Sequence, residues 1–408
     1  RSLINAGVNI ECKNFNGVTP LNLYCSRHDG LNLDIIHMLS CSQININSID
    51  KINGDTVFHT LTWSLIKNFY NEDLKLKIFE AINYLVDQGG NINLRNDTGH
   101  TCLALMIISE ITSCPGILKF KKEIINFLIK ASFKNIDKNQ TSLISATDYE
   151  GNTILHTVIN IINTNSTKNN TVVELGEIVQ QLINFGSNVN AVNKYNKTPL
   201  HIICEYPIND RTEKIIKLLI NSGANVNSLD MNGNTVLHEL VKHDNSSNFI
   251  LYILSLSTII NDKNNDGDTP LHIAANQYNI NMILILLNNG AKLGITNNSK
   301  ITPLKVLFCV SLRVFNNTDA KKYSTNYIIK NLVNNDIDIS DRDTINQIVE
   351  MGIGKIIDII TKYSFVKEES DICCNKINII QCSYNHHMCL KCLVRINTFN
   401  CEMCRTSL

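Results

Sequence analysis

The sequence carries no excess charge of either sign, with 37 Lys and Arg against 37 Asp and Glu. It therefore generates no global basic field to hold nucleic acid or an anionic membrane surface, and neither partner is expected. Long apolar runs are also missing. A membrane-crossing helix needs roughly 18 or more apolar residues, and the best stretch, from Phe249 to Ile260, is broken by Ser and Thr. There is no initiator Met and no signal-peptide pattern. The chain opens on Arg1 inside a repeat-like segment, which reads as a truncated start.

Cysteine is scarce over most of the length and crowded at the end. Of 14 cysteines, seven are scattered over the first 372 residues, while Cys373, Cys374, Cys382, Cys389, Cys392, Cys401 and Cys404 share the last 36. Scattered single cysteines read as small buried hydrophobes. Close pairs two residues apart, joined by histidines, favour metal binding in a reducing compartment over disulfides. That places the protein inside a cell, in cytoplasm or nucleus.

A Thr followed by a short apolar pair, and often by His, returns at Thr19, Thr56, Thr101, Thr153, Thr198, Thr235, Thr269 and Thr302. The intervals are 37, 45, 52, 45, 37, 34 and 33 residues, with a floor matching one hairpin and two short helices. In the clearest unit, from Asp266, Gly267 suits a turn at positive φ, Thr269 can cap a helix and Pro270 can occupy its first turn. Leu271, Ile273 and Ala274 then form one apolar face, Ile283, Leu284, Leu286 and Leu287 a second, and Gly290 a stop. Equivalent stops stand at Gly7, Gly89, Gly186 and Gly223. Alternating Val and Asn after each stop predicts a short extended arm whose Asn residues face solvent. One helical pair cannot hide its apolar face alone, so stability must come from stacking about eight units.

The motif TPLH at Thr198 to His201 and Thr269 to His272, with TVLH at Thr235 and TILH at Thr153, resembles the ankyrin repeat family over about residues 1–345. The resemblance implies a mostly α solenoid. His59, His156, His201, His238 and His272 recur at one repeat position, which favours structural use over catalysis. Asn22, Ala104 and Lys305 replace that histidine, so those units are expected to lack its hydrogen bond to the hairpin. Extra residues at 63–75, 108–122 and 160–176 read as loops between paired helices. After Thr302 the rhythm decays. Residues 346–366 read as a capping helix and linker, and the charged run from Lys367 to Asp371 marks a boundary before a module at 367–408.

That module spaces Cys382, His386, Cys389, Cys392, Cys401 and Cys404 as knuckles suited to tetrahedral Zn2+. Its ligands exceed what one ion can use, so two zincs are expected, with one as the alternative. The segment resembles the Cys/His form of the RING finger family, a small zinc-bound α/β module. The resemblance implies that Cys382, His386, Cys401 and Cys404 hold one zinc, and that Cys373, Cys389 and Cys392 hold the other. Ser370 occupies the position of the remaining cysteine, so Asp371 with Cys374 is the alternative source of ligands. His387 is the alternative to His386.

RING membership implies ubiquitin ligase activity without a covalent intermediate. Ile372, Leu393 and Arg405 would contact a ubiquitin-conjugating enzyme and ubiquitin, the repeats would recruit a protein substrate, and a RING-mediated dimer is a further expectation. Arg405 suits such bridging because a guanidinium offers five donors. The Asn- and Ile-rich style resembles ankyrin proteins of large DNA viruses that act inside a host cell. The alternative is a non-catalytic ankyrin scaffold or adaptor whose zinc module mediates interaction.

Overall fold

The computed structural model describes residues 8–314, apart from 28–30, 41–43, 110–116, 135–142, 165–168, 244–246 and 257–259, together with 380–381 and 387–388. Two compact units divide at Asn225 and Val226.

In the first unit, five helix pairs follow one another: α1 (Pro20–Cys25) with α2 (Leu33–Leu39), α3 (Val57–Lys67) with α4 (Glu72–Asp87), α5 (Cys102–Ile108) with α6 (Ile117–Ser132), α7 (Ile154–Thr164) with α8 (Asn169–Asn184), and α9 (Pro199–Cys204) with α10 (Asp210–Asn221). First helices stack on first helices, α1 on α3, α5, α7 and α9 in turn. Second helices form the other layer through α2 on α4, α4 on α6, and α8 on α10. The Phe79 and Phe127 rings stack at 3.9 Å between α4 and α6, while His37 meets Tyr84 at 4.0 Å between α2 and α4. Between the layers lie Leu61, Ile78, Leu103, Ile124, Leu155 and Val179, each essentially inaccessible. Burial of this continuous apolar seam is the cohesive force that no single pair can supply.

The second unit repeats the plan with α11 (Val236–Leu240), α12 (Ser247–Leu256), α13 (Pro270–Asn276), α14 (Ile280–Asn288) and α15 (Pro303–Val314). Helix α13 packs on α11 and α15, and α14 packs on α12. Thr269 is the N-cap of α13 with Pro270 in its first turn, and Gly267 sits at φ +78°, as its sequence predicts. The helix-stopping Gly89, Gly186, Gly223 and Gly290 all lie between φ +90° and +95°, where a side chain is strained even though a Cβ would touch nothing.

Two expectations are corrected. Much of the added length that is described is helical, at residues 63–67, 72–75, 117–122, 160–164 and 169–176: α3 and α7 run 11 residues and α4, α6 and α8 run 16, against 6 for α9 and 9 for α14. The longer helices are anchored by buried lysines. Lys75 Nζ pairs with Glu72 and, at 2.9 Å, with Glu123, and it lies 5.8 Å from the Phe120 ring centroid. Burial alone would lower this ammonium's pKa, but its hydrogen bonds to Glu72 and Glu123 more than reverse that. Lys121 donates to the Ser109 carbonyl at 2.7 Å, and burial pushes its pKa down to about 8.

The arms are turns rather than extended segments. Ala191 N–H returns to the Asn188 carbonyl at 3.2 Å, and Asn188 Oδ1 accepts from Asn190 N–H at 2.9 Å. One apolar residue per arm, such as Ile46, Ile92 or Val189, is buried. The second asparagine then reaches the following repeat. Asn190 donates Nδ2 to the Gly223 carbonyl at 2.8 Å and accepts from Asn225 N–H at 2.8 Å. Asn47 makes the same clasp to Gly89 O and Asn91 N, and Asn261 makes it to Gly290 O and Lys292 N. Short local side-chain bonds outcompete strand pairing here.

Replacing Asn190 by Ala removes both bonds of a clasp, and we expect a loss of about 1–3 kcal/mol in urea unfolding. Asn190→Asp, which keeps only the acceptor, should fall between Ala and the parent. Equal stability of all three chains would remove the clasp from the account.

Candidate functional site

Every repeat histidine that heads a helix is buried. At His59, His156, His238 and His272 the backbone N–H of the capping threonine donates to Nδ1 at 3.0–3.1 Å. The other ring nitrogen meets a carbonyl of the next hairpin: His59 Nε2 to His100 O at 3.0 Å, His156 to Lys197 O at 3.0 Å, His238 to Asp268 O at 3.1 Å and His272 to Ile301 O at 3.0 Å. A backbone N–H only donates and a carbonyl only accepts, so each ring is neutral with its proton on Nε2. Burial lowers all four pKa values below the ordinary 6.5, while the contacted carbonyls act in the opposite direction. These imidazoles are saturated by structural bonds and offer no general base, in keeping with the structural role expected from their spacing.

The three departures keep the threonine cap without the imidazole. Thr19, Thr101 and Thr302 accept from the N–H of Asn22, Ala104 and Lys305 at 3.2–3.3 Å. Asn22 recovers a long bond from Nδ2 to Ser48 O at 3.5 Å. Beside Ala104 a small cleft opens against Leu143, Ala146, Asn152 and Ile154.

The hairpin tips carry the surface that is not committed to the stack. In the first unit Phe15, Ile52, Tyr149 and Tyr195 are exposed at four of the hairpin tips, the tip at Asn96 to His100 carrying no such residue, and in the second Met231 is 53% exposed. Leu23 on α1 and Trp63 on α3 add exposed apolar area on the first-helix layer, Trp63 being the only tryptophan in the chain. The tip backbones are held rigidly, since Asn96 Nδ2 donates to Asp55 Oδ1 and Asn193 Nδ2 to Asn152 Oδ1, both at 2.9 Å, beneath the exposed side chains. This buried ladder of asparagines has no counterpart in the periodicity of the sequence. Its signal is the Asn or Asp that opens each tip.

Among the described residues no group of three His, Cys, Asp or Glu side chains is placed to hold a metal ion, and no helix is long and apolar enough to cross a membrane. Cys25, Cys102 and Cys204 are buried, as scattered cysteines suggested, and burial raises the Cys25 and Cys102 thiols to about 12. Cys12 and Cys309 are exposed instead. The capping segment at 346–366 and the expected ligands Cys373, Cys382, His386, Cys389, Cys392, Cys401 and Cys404 lie outside the described residues, as do Asp371, Cys374, Ile372, Leu393 and Arg405. Within that segment two short strands are described, β1 (Ile380–Gln381) and β2 (His387–Met388). They pair antiparallel with Ile380 opposite Met388 and Gln381 opposite His387.

Four buried histidines give the stack a distinct acid response. Each binds fewer protons folded than unfolded between its lowered pKa and 6.5, so its stabilisation is complete above 6.5 and is lost as pH falls below it. We expect denaturant stability to decline from this pH, by up to about 1.4 kcal/mol per pH unit for each histidine. His156→Gln, whose amide can serve both partners without titrating, should flatten the decline. An unchanged slope would show that His156 is not held neutral.

Known proteins share this construction. Models of the ankyrin repeat family match residues 118–230 and 170–264 as three-copy arrays and residues 266–298 as a single repeat. An ankyrin repeat protein of Fowlpox virus (strain NVSL) is 34% identical over 61 residues, which span 15% of this chain and 14% of that relative. Among solved structures, the ankyrin repeat domain of Bcl-3, described as a unique member of the IkappaB protein family, gives a TM-score of 0.46 at 19% identity, over 62% of this chain and 94% of that one. The capping threonines, bridging histidines and stacked pairs extend the same pattern to the residues before 118. The chain carries ankyrin repeats, matched over residues 118–264 and 266–298.

Proposed function

We propose that the protein is an interaction scaffold whose repeats bind a protein partner through their hairpin tips and first helices. The observation that carries this reading is the placement of Phe15, Ile52, Tyr149 and Tyr195 in solvent on rigid tips, while the repeat histidines are consumed inside the stack. Rigid aromatic anchors bury area on binding at little entropic cost. A photo-crosslinking residue in place of Tyr149 or Tyr195 should capture a protein in host-cell extract. The same residue in place of Leu76, exposed on α4, should not. Equal capture from both positions contradicts the tip surface.

A second reading is favoured by the C-terminal segment. Its Cys and His spacing resembles a RING finger, and the pairing of Gln381 with His387 brackets residues 382–386 between two strands. That register supports His386, rather than the strand residue His387, as the ligand. The donor set suits Zn2+: Cys382, His386, Cys401 and Cys404 would hold one ion, and Cys373, Cys389 and Cys392, with Cys374 or Asp371, a second. The metal would serve to stiffen the fold. On this reading Ile372, Leu393 and Arg405 engage a ubiquitin-charged conjugating enzyme, and the scaffold becomes a ubiquitin ligase for whatever the tips bind, in the cytoplasm or nucleus of a host cell. Discharge of charged conjugating enzyme by the zinc-loaded chain, abolished by Ile372→Ala with zinc retained, is the expected result. Zinc bound without discharge leaves the scaffold alone.

A further inference from the structure

We infer that Asn53 is a deamidation site set apart by the fold, and that its conversion loosens the contact between the second and third hairpin tips. The sequence contains four Asn-Gly pairs, at Asn16, Asn53, Asn232 and Asn289. Glycine after asparagine removes the side chain that would keep the following backbone nitrogen from the asparagine amide carbon. All four asparagines are exposed, so solvent access does not separate them.

The following N–H does separate them. Gly17 donates to Asn14 O at 2.9 Å, Gly233 to Asp230 O at 3.0 Å and Gly290 to Leu287 O at 3.0 Å. Gly54 N–H has no acceptor among the described residues. The cause is one extra residue. Other tips close a bond four residues long, Asn14 N to Val18 O, Asn96 N to His100 O and Asp148 N to Asn152 O, whereas this tip closes from Asp50 N to Asp55 O. The wider turn carries Gly54 past the carbonyl that its counterparts use.

Conversion proceeds as follows. Gly54 nitrogen, giving up its proton, bonds to Asn53 Cγ. The bond from Cγ to the side-chain nitrogen breaks, and ammonia leaves as a succinimide closes. Water then opens the ring at either carbonyl to give aspartate or isoaspartate. Both products disturb a crowded place. Asn53 O accepts from Asp97 N–H at 2.7 Å, and Asp50 Oδ1 accepts from Asn53 N–H at 2.8 Å. A new carboxylate joins Asp50, Asp55 and Asp97, and like charges so near one another repel. In isoaspartate the main-chain carbonyl that holds Asp97 becomes a branch, so the tip-to-tip bond loses its geometry. A Cβ on Gly54 would already come within 2.8 Å of Asp97 N, which shows how little space remains.

The test is a time course of the full chain at neutral pH, read by peptide mass mapping for the mass gain of amide-to-acid conversion at each pair. Asn53 should convert roughly tenfold faster than the other three, the factor that about 1.4 kcal/mol for one retained hydrogen bond corresponds to. In strong denaturant the four rates should converge, and Asn53→Gln should abolish the fast phase. Asn53 converting no faster than Asn16, Asn232 and Asn289 overturns the inference. So does a preference that persists in denaturant, because it would then belong to the sequence and not to the open turn.

Discussion

The stack depends on one bridge, an imidazole held neutral between the capping threonine of its own helix and a carbonyl of the next hairpin. His156 illustrates it, taking the Thr153 N–H on Nδ1 and giving its Nε2 proton to Lys197 O. The bridge joins three levels of structure. It completes a helix N-terminus that would otherwise leave donors unpaired, fixes the hairpin tip relative to that helix, and binds one repeat to the next. Hydrophobic burial supplies most of the cohesion, yet burial is non-directional, so the register of tip on tip comes from such bonds and from the asparagine clasps beside them.

These features also decide what the surface can do. Because the ring nitrogens and most tip amides are committed internally, the tips keep side chains such as Phe15 and Tyr195 exposed, whereas Tyr149 also donates its hydroxyl to Asn96 O at 3.4 Å. Recognition can then vary by substitution at these positions without disturbing the stack. The unit headed by Thr101 shows the cost of losing the bridge: Ala104 borders a cleft at a position that five repeats give to an imidazole. The second tip shows the effect of one extra residue, which spares the threonine–histidine bridge at Thr56 and His59 but leaves Gly54 N–H without an acceptor among the described residues.

Much of this was legible from sequence because it depends on residues that few alternatives can replace. Thr269 followed by Pro270 and His272 specifies cap, first turn and bridge together, and Gly290 specifies a stop at positive φ. The arms are not legible as turns, because alternating Val and Asn has the period of a strand. A short asparagine prefers to bond its own backbone, and the clasp of Asn190 to Gly223 is a long-range contact with no local signature. Counting added length as insertion makes the extra residues look like loops, although Leu61 and Leu65 keep a helical period along α3 and Leu74, Ile78 and Leu85 keep one along α4. The cysteines expected as ligands, from Cys373 to Cys404, lie outside the described residues, and the strand pairing at Ile380 and Met388 is what the structure adds to that segment.

The central claim is that the repeat histidines are neutral bridges with the proton on Nε2. Long-range nitrogen–proton correlation NMR on histidine-labelled protein at neutral pH reads this directly. His59, His156, His238 and His272 should each show a protonated Nε2 and an unprotonated, hydrogen-bonded Nδ1, both slow to exchange. Spectra in which these rings average between tautomers, or carry the proton on Nδ1, would contradict the account.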